Sequence, residues 1–387
     1  MCLVEGSTIK IIVATDSFKG SLTAAQACAA IAEGVILAAP EAEVECVPMA
    51  DGGEGTVQSL VDGLGGDFVS CAAEDPVGRV RTAVYGLINE YMAVIEMAQA
   101  SGLTLLEDKE RNPFQTSTFG TGQLIKDALD RGARNFIIGI GGSATNDAGA
   151  GMAEALGYRF LDKNGIELPR GGLALSELAS IDASCADERI KASRFTIACD
   201  VDNPLLGPLG ASEVFGPQKG ATPEIARMLD DALARFAECV FTDLGKDIKD
   251  IPGSGAAGGL GAGCLAFLGA ELRSGVDIVI GATGLKEKLT GCTLVITGEG
   301  RTDSQTLGGK TVYGVAKLAK SLDVPVIVIS GSLAEEAKEL LDHGVIRLYS
   351  IMEDGTGLED AISNAAELLK VKAGKVTNDY LCGHINL

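Results

Sequence analysis

The chain has 387 residues, too many for one core of ordinary size, and 46% of them are hydrophobic, so two domains of average length are expected. An excess of 53 acidic over 32 basic residues gives a net charge of −21, which argues against nucleic-acid and anionic-membrane partners and for a monomer or small homo-oligomer. Two histidines, His343 and His384, and ten cysteines without a CxxC pair argue against Ser-His-Asp triads, zinc sites and disulfide frameworks.

Residues 10–15 form a short apolar run ending in Asp16-Ser17-Phe18-Lys19-Gly20-Ser21, and an Ala-rich helix is expected from about 23 to 39. A second strand over 43–49 delivers the loop Ala50-Asp51-Gly52-Gly53-Glu54-Gly55-Thr56 before a helix over 57–63. Two successive strands therefore end in acid-bearing loops. The pattern then changes, because 67–74, 79–88 and 91–97 read as strands joined by tight connections at 76–78 and Asn89-Glu90, which predicts antiparallel pairing. Helices are expected near 121–132, from about 149, over 223–243 and in the small-residue stretch 258–269, with strands over 135–141 and 195–199. From 293 a βαβ rhythm returns, with strands over 293–297, 324–330 and 345–351 and helices over 311–321 and 334–341; the tail after Lys375 reads as a loose end. The first two strands and the last three complete one parallel sheet. A discontinuous doubly wound domain, residues 8–65 and 283–375, is thus interrupted by a mixed α/β domain, residues 66–282.

The loop after 293–297 carries the most chemistry, in Glu299, Arg301, Asp303 and Lys310. A buried strand needs none of these charges, and two acids with two bases suit a metal-bound phosphate at the end of a parallel strand. Gly309-Lys310-Thr311 resembles the close of a P-loop, but Ser304 occupies the position of its first glycine, which disfavours a standard P-loop ATPase. Residues 141–151 place Gly141, Gly142, Ser143, Asn146 and Asp147 at a helix start, where free amides bind anions; the alternative is that Asn146 or Asp147 only caps the turn. Asp200 and Asp202, at i and i+2 on an emerging strand, point the same way as two ligands of one Mg2+ should, or else cap a turn before Pro204. Lys219, in the glycine-bounded loop 216–220, meets phosphate or stays solvated. The GxGxxG at 253–258 follows no apolar strand, so close helix packing is preferred to a dinucleotide site. Asp16, Ser17 and Lys19, with Asp51 and Glu54, add further carboxylates, a hydroxyl and a cation. Five such loops predict a cleft for a small, oxygen-rich anion together with Mg-nucleotide. No apolar run approaches the roughly 20 residues of a membrane helix, so a cytoplasmic location is expected.

DSFKGSL at 16–22, ADGGEGT at 50–56, GIGGSATNDAGAGM at 139–152, ACDVDNPL at 198–205, FGPQKGAT at 215–222, GAAGGLGAG at 255–263 and TGEGRTDSQTLGGK at 297–310 resemble the bacterial type-1 glycerate kinases, over nearly the whole chain and in the family's order. Thr302 stands where the family's pattern leads one to expect an aliphatic residue. The resemblance implies a flavodoxin-like parallel-sheet domain interrupted by an inserted mixed-sheet, restriction-endonuclease-like α/β domain. It also implies ATP-dependent phosphorylation of D-glycerate at the 2-hydroxyl, giving 2-phosphoglycerate and ADP. The alternative within the class is transfer to the 3-hydroxyl or to another small hydroxy acid; a nicotinamide-dependent dehydrogenase and a non-catalytic metabolite sensor are the readings from other classes. On the kinase reading the catalytic candidates are Asp200, Asp202, Lys19, Arg301 and Lys310. Asp16, Ser17, Asp51, Glu54 and Arg301 would bind substrate, and Gly141, Gly142, Ser143, Asn146, Asp147, Lys219 and Lys310 the nucleotide phosphates. Asp200, Asp202, Glu299 and Asp303 would supply ligands for Mg2+.

Overall fold

The computed structural model describes residues 9–352 and 357–384. The chain divides into two compact units. One comprises the residues up to Asp51, Gln58–Gly65 and those from Gly275 onward; the other comprises Gly52–Val57 and Gly66–Ser274.

In the first unit, strands β1 (Lys10–Val13) and β2 (Glu43–Cys46) join Leu294–Thr297, Val326–Ser330 and Val345–Ser350 in a wholly parallel sheet. The spatial order is 345–350, 326–330, 294–297, β1, β2, so the first strand in sequence lies between the second and third, as in flavodoxin-like sheets. Leu294–Thr297 and Val326–Ser330 are buried at every position, which is why they read as continuous apolar runs rather than alternating ones. Edge strand β2 keeps Glu43 and Cys46 exposed. Helix α1 (Ala24–Ala38) starts with a reciprocal cap, the Thr23 hydroxyl accepting the Gln26 amide while the Gln26 side chain accepts the Thr23 amide. Its Ala27, Cys28 and Ile31 bury against Ile11 and Val13 and against Leu369, Ala373 and Val376 of the helix Ala365–Leu381. The two helices approach most closely at Gly34, where a Cβ would run into the Lys370 carbonyl oxygen.

Three expectations for this unit change. The last helix continues past Lys375 to Leu381, with Val376 and Thr377 buried, because α1 offers it an apolar face to cover. The helix Gly275–Thr283 belongs with the first unit, so the border lies ahead of the expected residue 283. Residues Glu335–His343 wind as 3-10 helix rather than α-helix.

The second unit carries a six-stranded mixed sheet in the order 271–273, 194–198, 135–139, 92–96, 80–88, 67–74. Asp67–Glu74, Val80–Ile88 and Met92–Glu96 pair antiparallel, and the remaining neighbours pair parallel. Asn89 and Glu90 both have positive φ, and the Tyr91 amide closes on the Ile88 carbonyl, the mirror-image turn that suits strand twist. Helices Phe119–Asp130, Ala150–Ala155 and Pro223–Leu244 accompany the sheet. The expected helix over 258–269 is instead irregular: Ala257, Gly258 and Gly259 have positive φ, and Cys264–Leu268 forms a π-helical turn. The edge strand Glu271–Arg273 escapes sequence reading because three residues carry no usable periodicity.

Gly34→Ala should lower the urea midpoint, costing about 1–3 kcal/mol, because backbone on both sides must shift. Gly281→Ala, on the helix Gly275–Thr283 with nothing near its added methyl, should be neutral or stabilising by up to about 1 kcal/mol.

Candidate active site

Outside the carboxyl ends of β1 and Leu294–Thr297, where the sheet order reverses, the first unit has a cavity of about 420 Å³. Its position follows from register. The Ala14 amide donates to the Ile296 carbonyl, the Asp16 amide to that of Gly298, and the Thr297 hydroxyl to that of Ala14, so both segments leave the sheet together. Asp16 and Glu299 then line one cavity. Gly298 permits this exit, since a Cβ there would strike the Ile329 carbonyl of the neighbouring strand.

Each acid is held by short bonds. Asp16 accepts the Thr311 hydroxyl at 2.5 Å and the Ser17 amide at 2.6 Å. Glu299 Oε1 accepts the Thr306 hydroxyl at 2.6 Å and the Thr302 hydroxyl at 3.1 Å, and Thr302 also meets the Ser330 hydroxyl at 2.7 Å. A hydroxyl at 302, where the family resemblance leads one to expect an aliphatic side chain, thus helps orient a carboxylate. Burial pushes the Asp16 carboxyl up to about 6; the Thr311 bond opposes this and the charge of Asp51 adds to it. Burial likewise pushes Glu299 up to about 7, against the Thr306 bond and with the charge of Asp16 adding. Cations line the same cavity. Lys19 and Arg301 are exposed, with Arg301 Nε 3.3 Å from Asp303 Oδ2, and the Lys310 ammonium donates to Gln305 Oε1 at 3.2 Å. Phe18, Ile351, Ala361 and Ile362 form an apolar side of the same cavity.

The cavity gathers Asp16, Ser17, Lys19 and Asp51 from the first two loops, and Glu299, Arg301, Asp303 and Lys310 from the third. Asp303 is engaged as a helix cap, its Oδ1 accepting the Gln305 amide at 2.9 Å. The hydroxyls of Thr302, Thr306 and Thr311 are missed by sequence reading. Thr306, three residues beyond Asp303, is legible as the partner in a capping box, whereas the contact of Thr311 with Asp16 joins distant parts of the chain and leaves no local signal.

The remaining candidates lie in the second unit. Asp200 and Asp202 are exposed on irregular chain after the strand Arg194–Ala198 has ended, so strand alternation does not align them as expected. Among the described residues no group of three or more His, Cys, Asp or Glu side chains is gathered as a metal cage. The expected quartet is divided, with Glu299 and Asp303 in the first unit and Asp200 and Asp202 in the second. Glu54 is exposed in the short stretch grouped with the second unit, where the Gly55 and Val57 amides donate to Glu96 at 3.0 and 3.1 Å.

Gly141 and Gly142 are exposed, but Asn146, Asp147 and Lys219 are buried. Asp147 Oδ2 accepts the Thr118 amide at 2.8 Å, the Thr118 hydroxyl at 2.9 Å and the Gly151 amide at 3.3 Å, which ties together the starts of two helices. The Lys219 ammonium donates to the Thr145 carbonyl at 2.6 Å, and burial lowers it to about 7 against the attraction of Asp147. Asn146 donates to the Ser212 hydroxyl at 3.0 Å. Phosphate contact is the expectation for these three; all three are buried, with partners inside the second unit. The GxGxxG segment packs as small residues do, a Cβ at Gly255 or Gly258 running into the Pro204 or Thr145 carbonyl.

The sequence model of the glycerate kinase family matches residues 11–381. A glycerate kinase of Halalkalibacterium halodurans is 51% identical over 95% of this chain and 97% of its own. A glycerate 2-kinase of Escherichia coli K12 is 47% identical over 92% and 94%. A crystal structure assigned as glycerate kinase 2 from Salmonella typhimurium LT2 superposes with a TM-score of 0.91 at 47% identity, covering 98% of this chain and 100% of that one. No helix among the described residues is long and apolar enough to cross a membrane.

Asp16 and Glu299 hold their protons more tightly when folded than when unfolded, so stability is fullest at low pH and falls as pH rises from about 4 to about 7. Glu299→Gln removes part of that loss. The variant should match wild type in unfolding temperature near pH 4 and exceed it near pH 8, by roughly 1–3 kcal/mol in thermal unfolding. Asp147→Ala strands the buried Thr118 and Gly151 donors and should cost about 3 kcal/mol in the same measurement.

Proposed function

The chain belongs to the glycerate kinase family, and from that premise we propose that it transfers the γ-phosphoryl group of Mg-ATP to the 2-hydroxyl of D-glycerate, giving 2-phosphoglycerate and ADP. The observation that carries the reading is the cavity at the sheet's switch point, which is lined by Asp16, Asp51 and Glu299 together with Lys19, Arg301 and Lys310. Phosphoryl transfer asks for positioning and charge neutralisation more than for covalent chemistry, and paired acids and cations supply both.

Mg2+ fits the donor set. Asp16 and Glu299 are hard oxygen ligands close enough for the charge of one to raise the pKa of the other, and one or two carboxylates with phosphate oxygens are its usual company. A dedicated cage of three acids is unnecessary for such a cation. Bound Mg2+ would neutralise triphosphate charge. Lys310 and Lys19 stabilise the transferring phosphoryl group, Arg301 holds the glycerate carboxylate, and Asp51 aligns the attacking hydroxyl and receives its proton. Ser17 faces the remaining hydroxyl. In the second unit, the amides of Gly141, Gly142 and Ser143 contact nucleotide phosphate, with Asn146, Asp147 and Lys219 holding their loop. Asp200 and Asp202 form the second carboxylate pair of the proposal, and Glu54 a further substrate-binding acid. The enzyme works in the cytoplasm as a monomer or small homo-oligomer.

Incubation with D-glycerate and Mg-ATP, followed by 31P and 1H NMR, should give phosphate on carbon 2. Phosphate on carbon 3 would overturn the regiochemistry, and intact ATP with no phosphoglycerate would overturn the function. Asp16→Asn and Lys310→Met should each lower kcat by about 10²–10³. If Asp202→Asn were as damaging while Asp16→Asn were mild, the metal and base roles would belong to the second carboxylate pair.

A further inference from the structure

Two cysteines outside the candidate site are brought together by the register of the parallel sheet. Val13 and Cys46 are direct partners across β1 and β2, so their side chains leave the same face of the sheet. That face is covered by α1, and Cys28 of α1 packs with Val13 in the same core, its thiol donating to the Val13 carbonyl at 3.5 Å. Strand register and the packing of α1 thus make Cys28 and Cys46 neighbours around Val13. Cys28 is buried, whereas Cys46 is exposed at the end of the edge strand. A buried partner beside an accessible sulfur is the arrangement of a resolving and a reacting thiol.

We propose that Cys28 and Cys46 are a redox-responsive dithiol that closes to a disulfide under hydrogen peroxide and, on closing, impairs the neighbouring site. The neighbouring Cys28 holds the Cys46 thiol below its usual range, and burial pushes the Cys28 thiol up. The Cys46 thiolate attacks peroxide, breaking the O–O bond to give a sulfenic acid and hydroxide, which takes up the proton that Cys46 released. The Cys28 sulfur then attacks the sulfenic sulfur, the S–S bond forms, and the sulfenic oxygen leaves as water with the Cys28 proton. Two electrons pass from two thiols to one peroxide, which ends as two waters.

The route to the site is short. The Cys28 sulfur lies 3.2 Å from the Thr15 hydroxyl, and Thr15 precedes Asp16. Beyond Cys46, the Val47 amide donates to the Val13 carbonyl and the Met49 amide to the Thr15 carbonyl, carrying the chain to Asp51. Bringing the two sulfurs to bonding distance therefore takes Cys28 off Thr15 and pulls on both segments that deliver the acids.

The test is peroxide titration of wild type and Cys46→Ser, with peptide mapping and glycerate kinase assays before and after dithiothreitol. A linked Cys28–Cys46 peptide, a fall in activity of about tenfold or more, recovery on reduction, and a Cys46→Ser variant that is active when reduced and resists peroxide are expected. Absence of the linked peptide, equal inactivation of Cys46→Ser, or full activity in the linked protein would each overturn the proposal. The activity arm rests on the function proposed above. A reduced protein that leaves glycerate unphosphorylated would count against that function, while peptide mapping and the loss of an Mg-ATP-induced rise in unfolding temperature on oxidation would still decide the dithiol.

Discussion

The hydrogen-bonded pairing of β1 with the strand Leu294–Thr297 is the constraint on which the candidate site depends. These segments are separated by most of the chain, yet bonds from Ala14 to Ile296 and from Asp16 to Gly298 make them leave the sheet in step. Every other feature of the cavity is referred to that exit. Asp16 and Glu299 become neighbours, the hydroxyls of Thr311 and Thr306 reach them, and the cationic loop Arg301–Lys310 follows immediately. Parallel pairing requires long crossovers, and here the longest crossover contains the whole second unit.

Carboxyls at this position are costly. Burial raises both Asp16 and Glu299 toward neutrality, with the charge of Asp51 adding at Asp16 and that of Asp16 adding at Glu299, so the unit gives up stability near neutral pH to keep them there. A fold optimised only for stability would not place two acids over the carboxyl ends of its central strands. On the proposed reading, a bound cation would offset that repulsion. The second unit treats Asp147 and Lys219 differently. Asp147 accepts backbone amides and the Thr118 hydroxyl, and the Lys219 ammonium donates to the Thr145 carbonyl, so both are buried with partners of their own.

Much of this was legible in local pattern. Apolar runs such as Val326–Ser330, the capping box at Thr23 and the turn at Asn89-Glu90 each carry their signal within a few residues, and the corresponding elements occur where that signal lies. The loops rich in acid, base and glycine were visible for the same reason, since charge directly after a buried strand is conspicuous. Signals failed where the deciding contact was distant or the element too short. The strand Glu271–Arg273 exists because it pairs with Arg194–Ala198, the helix to Leu381 because α1 offers it an apolar face, and the i, i+2 argument for Asp200 and Asp202 lost its basis because the strand stops at Ala198.

By itself the sequence determined the class of the fold, the identity of the charged loops and, through seven motifs in order, the family. Those are properties of short segments, set by side-chain periodicity, backbone freedom at glycine and residue chemistry. Only the tertiary structure decided which acids share a cavity, which hydroxyls hold them and which candidates are buried with partners of their own. Such facts depend on strand order and register between residues hundreds of positions apart, and no local pattern encodes a register.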